Sequence, residues 1–412
     1  MDVSADEALR LIGENESDLG AEEVELTSAL ARVCFEPIIA KVALPSFDNS
    51  AMDGFAVRSQ ESRHASMDHV LRLAVVGSIT AGSTILRKPT QGTGVCHQIN
   101  TGAPFPPGFD ACVKVEDVKM MSDAAGHEFI ELEKPVPPMQ HRRKIGEEVA
   151  VGVQLVDRGV RLKPEHMAVL ASQGLVCLRV FRNLRIAIIS TGKELVQTGR
   201  SLDYGQIYDT NAGYVQACLA AWHYPVATVD SVGDDELLFQ ELVTSKSKYD
   251  VVITTGAVSK GKTDFVASSL RKIGATIMFH GVAIRPGHPL LFATFGQARV
   301  FSLPGNPGAV ALCLRLFAYP YLQRMYAQPP ELAIEARLAR AITKRHDLRV
   351  YRKAKLQYLK GTVCVEILEG SHASLCLPFM EANAWAQLEE GEGVFQEGSV
   401  VSVFLQHPCT FL

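Results

Sequence analysis

Between Arg185 and Phe317 the chain alternates apolar runs with helix-forming stretches, and this pattern restricts the fold more than any other feature. The runs Ile186–Ser190, Val251–Thr255 and Val300–Leu303 are continuous rather than alternating. A strand buried on both faces has no polar side to show, so it reads in this way. Helices are expected over Ala212–Trp222, Glu236–Thr244, Asp264–Ile273 and Ala309–Leu322. Buried strands alternating with helices predict a three-layer α/β unit on a parallel sheet. The flanking chain reads differently. From Leu71 to Glu133, short runs (LRLAVVGSIT, TGVCHQI, ACVKVEDV, EFIELE) broken by Gly and Pro predict a small β module. After Pro329-Pro330 the runs KAKLQYL, GTVCVEIL and SVVSVFLQ are again β-like. A first helix is expected over Ala5–Ile12 and a second through Leu26 to Cys34, whereas the turn formers of Leu44–Val57 break any regular element. A chain of 412 residues exceeds one ordinary hydrophobic core, which suggests about two to four domains.

Composition removes several function classes. A net charge of -4 and a pI near 6.3 give no global basic field for nucleic acid. No apolar run reaches the roughly 18–20 residues of a membrane span. The start, MDVSADEALRLIGENESD, shows neither a signal core nor a transit pattern. Nine scattered cysteines without a CxxC pair suit buried thiols in a reducing compartment. The expectation is a cytoplasmic protein.

Ligands of open α/β sheets bind beyond the carboxyl ends of the strands. Three such ends stand out. One carries Thr191, Gly192 and Glu194 between a strand and a helix. A second carries Gly256, Ser259, Gly261, Lys262, Thr263 and Asp264. The third carries Pro304, Gly305 and Asn306 at the start of a helix. Backbone N–H groups at such ends suit anions, although strand-end glycines are also ordinary turn residues. Gly256 to Thr263 matches the phosphate-loop pattern of nucleoside triphosphatases letter for letter. The later apolar segments IMFHGVAI and VFSLPG end in no carboxylate to hold the metal, which weighs against that reading. Asp48, Asp53, Glu194, Asp234, Asp235 and Asp264 are loop carboxylates suited to a hard divalent cation such as magnesium. Helix capping competes as the explanation for Asp234 and Asp235. Cations gather at Arg142-Arg143-Lys144, at Arg285 and His288, and along Arg337–Lys360. Most are expected to be solvated, but a pyrophosphate or oxyanion ligand would use some of them. Lone histidines such as His97 and His280 read as packing groups. No GxSxG elbow and no strand-following GxGxxG occurs, which disfavours hydrolases and dinucleotide dehydrogenases.

Together, LPSFDNSAMDGFAV, INTGAPFPPGFDACVKVED, AIISTGKELV, GQIYDTNAGYV, VVITTGAVSKGKTDFV and FSLPGNP resemble the motifs of the molybdopterin molybdenumtransferase family, in the family's order from Leu44 to Pro307. The resemblance implies four parts: a discontinuous N-terminal domain (1–42 and 141–178), an inserted β domain (43–140), an α/β molybdopterin-binding domain (179–327) and a C-terminal β-barrel-like domain (328–412). It implies a homodimer, with a molybdopterin adenylyltransferase as a further partner. The implied reaction takes molybdenum from molybdate onto adenylylated molybdopterin and releases AMP, assisted by magnesium or another divalent cation. Carried over residue by residue, the catalytic positions are Asp53, Thr101, Glu194, Asp234 and Asp264, with Asp53, Glu194, Asp234 and Asp264 as metal ligands. Substrate binding falls to Arg143, Glu148, Thr191, Gly192, Gly256, Ser259, Gly261, Arg285, His288, Pro304, Gly305 and Asn306.

The chain departs from the family pattern at several positions. Glu148 stands where Asp is usual, and Lys262 where an acidic residue is common. Arg285-Pro-Gly-His288-Pro289 replaces KPGKP, Gly281 replaces a lysine, and Gly308-Ala309 replaces Val-Ser after LPGNP. Losing two ammonium donors and a hydroxyl is not a conservative trade. A catalytically weakened binding or scaffold relative is therefore the second reading, and a phosphate-loop NTPase the third.

Overall fold

The computed structural model describes residues 2–84, 90–258, 265–359, 361–368 and 377–407. Two units separate: Met1–Glu36 with Arg158–Lys163 and Cys177–Leu412, and Pro37–Asp157 with Pro164–Val176.

The first unit contains the α/β layer. Its six strands lie in the order Val226–Val232, Ile186–Thr191, Val251–Thr255, Ala298–Leu303, Leu291–Phe295, Thr276–His280. The first four are parallel, as expected. Leu291–Phe295 runs antiparallel to both of its neighbours, so the sheet is mixed rather than purely parallel. The reason is local. Phe295 pairs with Ala298 across the two-residue turn Gly296-Gln297, and Gly296 has φ +57°. So short a link permits only an antiparallel neighbour. Ile186, Ile188, Ile253 and Phe301 are buried on one face of the sheet, and Ala187, Ile189, Val252 and Val300 on the other. Two covered faces account for the continuous apolar runs.

Helices close the two faces. Asp209 caps Thr210–Ala221 by accepting from Ala212 N at 3.1 Å, and Asp235 caps Glu236–Ser245 by accepting from Leu238 N at 3.0 Å. The helix expected from Asp264 is described over Val266–Lys272. The one expected from Ala309 begins at Pro307, where Asn306 is the cap and proline needs no N–H partner. It continues through a π stretch, Leu314–Ala318, into Tyr319–Met325. Pro320, which has no N–H to donate, lies just past that stretch.

The first helix forms over Ala5–Gly13. The second expected helix, Leu26 to Cys34, does not. A single 3-10 turn covers Leu26–Ser28, and Ala31 has φ +64°. Ala31 N and Cys34 N donate instead to Leu162 O and Val160 O, at 3.0 and 2.9 Å. A distant segment thus satisfies backbone groups that a helix would have paired internally.

The C-terminal strands close a five-stranded barrel. Arg349–Leu359, Thr362–Ile367, Ile334–Leu338, Val400–Leu405 and Ala384–Leu388 pair in turn, and the last returns to the first. Closure removes exposed edges. The short strand Ile284–Arg285 adds in parallel to Arg349–Val350, which fixes the Arg285 loop on the barrel. Arg315, only 2% exposed, ion-pairs with Glu331 and donates to Leu405 O at 2.7 Å, tying the long helix to the barrel.

The second unit holds a six-stranded sheet in the order Ala111–Lys114, Gly54–Val57, Val95–Ile99, Leu71–Ile79, Glu128–Leu132, Lys119–Ser122. Phe55, Leu73, Cys96, Val113 and Ile130 form its core. Asn49–Ser50 pairs with Arg142–Arg143 beside it.

Arg315→Ala leaves Glu331 and the Leu405 carbonyl without their partner. The loss expected is about 3–5 kcal/mol, the cost of breaking a buried ion pair. Urea unfolding reads it, and an unshifted midpoint would show the pair to be dispensable.

Candidate active site

Strand register gathers the predicted glycine loops. Ser190 pairs with Thr255, and Thr255 with Leu303, so the residues that follow emerge side by side at the carboxyl edge. Thr191 Oγ1 donates to Thr255 O at 3.0 Å. Gly256 has φ +89°, and a Cβ there would lie 2.4 Å from Thr191 O. A Cβ on Gly305 would stand 3.6 Å from Gly256 Cα. Only glycine allows three backbones this close at such a dihedral. Asn211 Nδ2 donates to Gly305 O at 2.8 Å and holds the third loop. Sequence reasoning did not single out Asn211, although it sits in the GQIYDTN motif.

Glu194 and Asp234 occupy neighbouring strand ends. Gly192 N donates to Val232 O at 3.2 Å. Glu194 folds back over Gly192, where a Cβ would meet Glu194 Oε1 at 2.7 Å. A short pair of strands separates Glu194 from the helix expected at Ala212–Trp222. Leu195–Val196 pairs in parallel with Ile207–Tyr208, and the helix starts only at Thr210. Asp234 is exposed, whereas the adjacent Asp235 is occupied as a helix cap. Ser259, Gly261, Lys262, Thr263 and Asp264 lie outside the described residues. Among the described residues, no three His, Cys, Asp or Glu side chains gather closely enough to hold a metal by themselves.

Arg285, His288, Pro304, Gly305, Asn306 and Ala309 line one pocket. Arg285 Nη1 donates to His346 Nε2 at 2.8 Å. Burial, and after it the neighbouring Arg285 charge, hold the Arg352 guanidinium below its ordinary value, so positive charge is concentrated here. Ala309 is 3% exposed and brings no hydroxyl. A larger cleft in the same unit, lined by Arg10, Arg324 and Arg349, includes none of the predicted site residues.

In the second unit, Asp53 accepts from Thr101 N at 2.7 Å and Asn100 Nδ2 at 3.3 Å. The Thr101 amide, then the Asn100 side chain, hold its carboxyl below the ordinary aspartate range, and the group is exposed. The structure thus joins Asp53 to Thr101 and adds Asn100, the residue before it in sequence. Arg142 is used structurally, ion-paired with Asp48 and donating to Phe109 O at 2.9 Å. Its neighbour Arg143 is exposed. Glu148 is also exposed, with its N–H on Leu44 O at 2.9 Å. His97 is buried against Thr90 Oγ1 at 2.8 Å, and His280 Nε2 donates to Val258 O at 2.8 Å; both are packing histidines.

Fold and site together define a multidomain α/β protein with a cation-lined pocket at the carboxyl edge of its sheet. Three family profiles match in order: "MoeA N-terminal region (domain I and II)" over residues 3–174, "Probable molybdopterin binding domain" over 187–324, and "MoeA C-terminal region (domain IV)" over 335–405. The chain is 33% identical over 392 residues to a molybdopterin molybdenumtransferase of Haemophilus influenzae, covering 93% of each chain. It is 36% identical over 394 residues to that of Synechococcus elongatus, covering 93% of this chain and 94% of the other. A solved molybdopterin biosynthesis MoeA protein from Pyrococcus horikoshii superposes with a TM-score of 0.83 at 30% identity, covering 98% of this chain and 99% of that one. The chain belongs to the molybdopterin molybdenumtransferase family. No helix among the described residues is long and apolar enough to cross a membrane.

Gly256→Ala forces a positive φ and a collision with Thr191 O, so the strand edge must move. A loss of about 1–3 kcal/mol is expected, the range for a strained backbone. Thermal unfolding of the variant measures it; wild-type stability would mean the loops are not in contact.

Proposed function

We propose that this chain transfers molybdenum from molybdate to adenylylated molybdopterin, forming molybdenum cofactor and releasing AMP. One observation carries the reading: Arg285 and His288 share a pocket with Gly305 and Asn306, and Gly305 approaches Gly256, which in turn approaches Thr191. Positive charge suits a tetrahedral oxyanion, and glycine-rich strand ends suit the phosphates of a nucleotide-bearing substrate. Curated relatives of nearly full length carry the name molybdopterin molybdenumtransferase, which supports molybdenum insertion here. The scaffold reading is not favoured, because the pocket keeps the Arg285 charge despite Gly281 and Ala309.

The residues present fit a divalent cation. Glu194 and Asp234 are exposed carboxylates at adjacent strand ends. Magnesium is commonly held by one or two carboxylates, with substrate phosphates and water completing its shell. Bound there, it would neutralise charge on the phosphoanhydride. Asp53 and Asp264 are assigned to the same chemistry on the family motif. Thr101 and Asn100 favour the ionised form of Asp53, which suits a cation. Arg143 and Glu148 join it as substrate contacts. The reading extends to a homodimer that receives its substrate from a molybdopterin adenylyltransferase. It also places the enzyme in the cytoplasm, where thiols outside any disulfide, such as Cys96 and Cys177, persist.

Purified protein with adenylyl-molybdopterin, magnesium and molybdate should release AMP in a molybdate-dependent manner. Release no greater than in a buffer control would overturn the proposal. Asp53→Ala or Asp264→Ala should slow release by about 100-fold or more, the usual range for a lost acid–base group, with circular dichroism unchanged. Wild-type turnover in either variant removes that residue from the reaction.

A further inference from the structure

The cation-lined pocket has a partner that no motif marks. Val3 N donates to Gly281 O at 3.1 Å, and Ala283 N donates to Val3 O at 2.8 Å. Val3 therefore lies as a bridge along Val282, in the segment that leads into Arg285 and His288. This backbone pairing delivers the Asp2 carboxylate to a defined place. Oδ2 meets His288 Nε2 at 2.8 Å. Oδ1 lies 2.4 Å from where a Cβ on Gly281 would project. Any side chain at position 281 would displace Asp2, so Gly281 and Asp2 fit as a pair.

With Nε2–H donated to the Asp2 carboxylate, Nδ1 is the ring atom of His288 left to meet a ligand, and it donates to an oxyanion in the imidazolium form, in which both ring nitrogens carry protons. An imidazole on a loop turns freely about its side-chain bonds. A hydrogen bond to one nitrogen fixes ring orientation, as outer partners do for catalytic and metal-binding histidines. His288 stands where the family has a lysine, and an imidazole has less reach and fewer donors than an ammonium. It therefore has more need of orientation.

We infer that Asp2 is a positioning residue for oxyanion binding: it orients His288 in the pocket that receives molybdate, and Gly281 makes room for it. The inference rests on the reading of this pocket as the molybdate site. It concerns positioning of a substrate contact, with no part for Asp2 in bond breaking.

Initial rates of AMP release against molybdate concentration separate the outcomes. Asp2→Ala should raise the KM for molybdate about five- to tenfold with kcat held within about twofold, the scale of one partly exposed pair. Asp2→Asn, which still accepts a hydrogen bond through Oδ1, should return KM close to the wild-type value. In a His288→Ala background, Asp2→Ala should add nothing further. The inference is overturned if Asp2→Ala leaves KM unchanged, if both Asp2 variants behave alike, or if Asp2→Ala still acts without His288. A variant that loses stability and kcat together points to a role in folding and equally overturns it. Failure of the wild type to release AMP instead sinks the molybdate reading. Direct titration with molybdate, without the pterin substrate, keeps the Asp2–His288 comparison measurable in that case.

Discussion

Parallel strand register is the constraint on which the rest of the molecule depends. Once Ser190, Thr255 and Leu303 align, Thr191, Gly256 and the Pro304–Asn306 loop must leave the sheet at one edge. The space between these loops is less than one methyl group requires, as the 2.4 Å approach of a Cβ on Gly256 to Thr191 O shows. Glycine at this point is therefore a condition of sheet assembly as well as of ligand access. The helix that follows Leu303 continues to Arg315, which is anchored on the barrel. The Arg285 strand is paired to the same barrel. The barrel thus supports both sides of the pocket.

Charge is distributed locally. The chain is acidic overall, yet Arg285 and His288 line one pocket, His346 accepts from Arg285, and Arg352 feels the Arg285 charge. Carboxylates lie along the other strand ends, at Glu194 and Asp234. An anionic substrate with a cation-assisted leaving group needs both kinds of surface near each other. Net charge is blind to such an arrangement, because opposite patches cancel in the sum. The second unit supplies its own acidic group at Asp53, tethered by backbone and side-chain donors that keep it ionised.

Much of the site could be read because its chemistry is local in sequence. Glycine before a tight turn, proline at a first helical position and aspartate at a cap each act within a few residues. The strand-end loops at Thr191, Gly256 and Gly305 were therefore legible, and Asp53 and Thr101 stood out in their own motifs. Asp235 resolved as a cap and Asp234 did not, a distinction that two adjacent aspartates cannot reveal in a sequence. Asn211 was missed because its role is to hold Gly305, which lies far along the chain.

The sequence alone determined the α/β class, the parallel core strands and the β character of the flanking segments, since burial on two faces writes itself as an unbroken apolar run. It left open everything that depends on a distant partner. Leu26–Cys34 has helix-compatible residues, but the Val160–Leu162 segment takes up its backbone donors. The short turn at Gly296-Gln297 set one strand, Leu291–Phe295, against the direction of the others. Asp2 reaches His288, and Arg285 reaches His346, only because pairing with other segments carries them there. Local propensity and periodicity act over a turn or two of chain, whereas backbone hydrogen bonds and ion pairs between remote segments exist only once the chain has closed on itself.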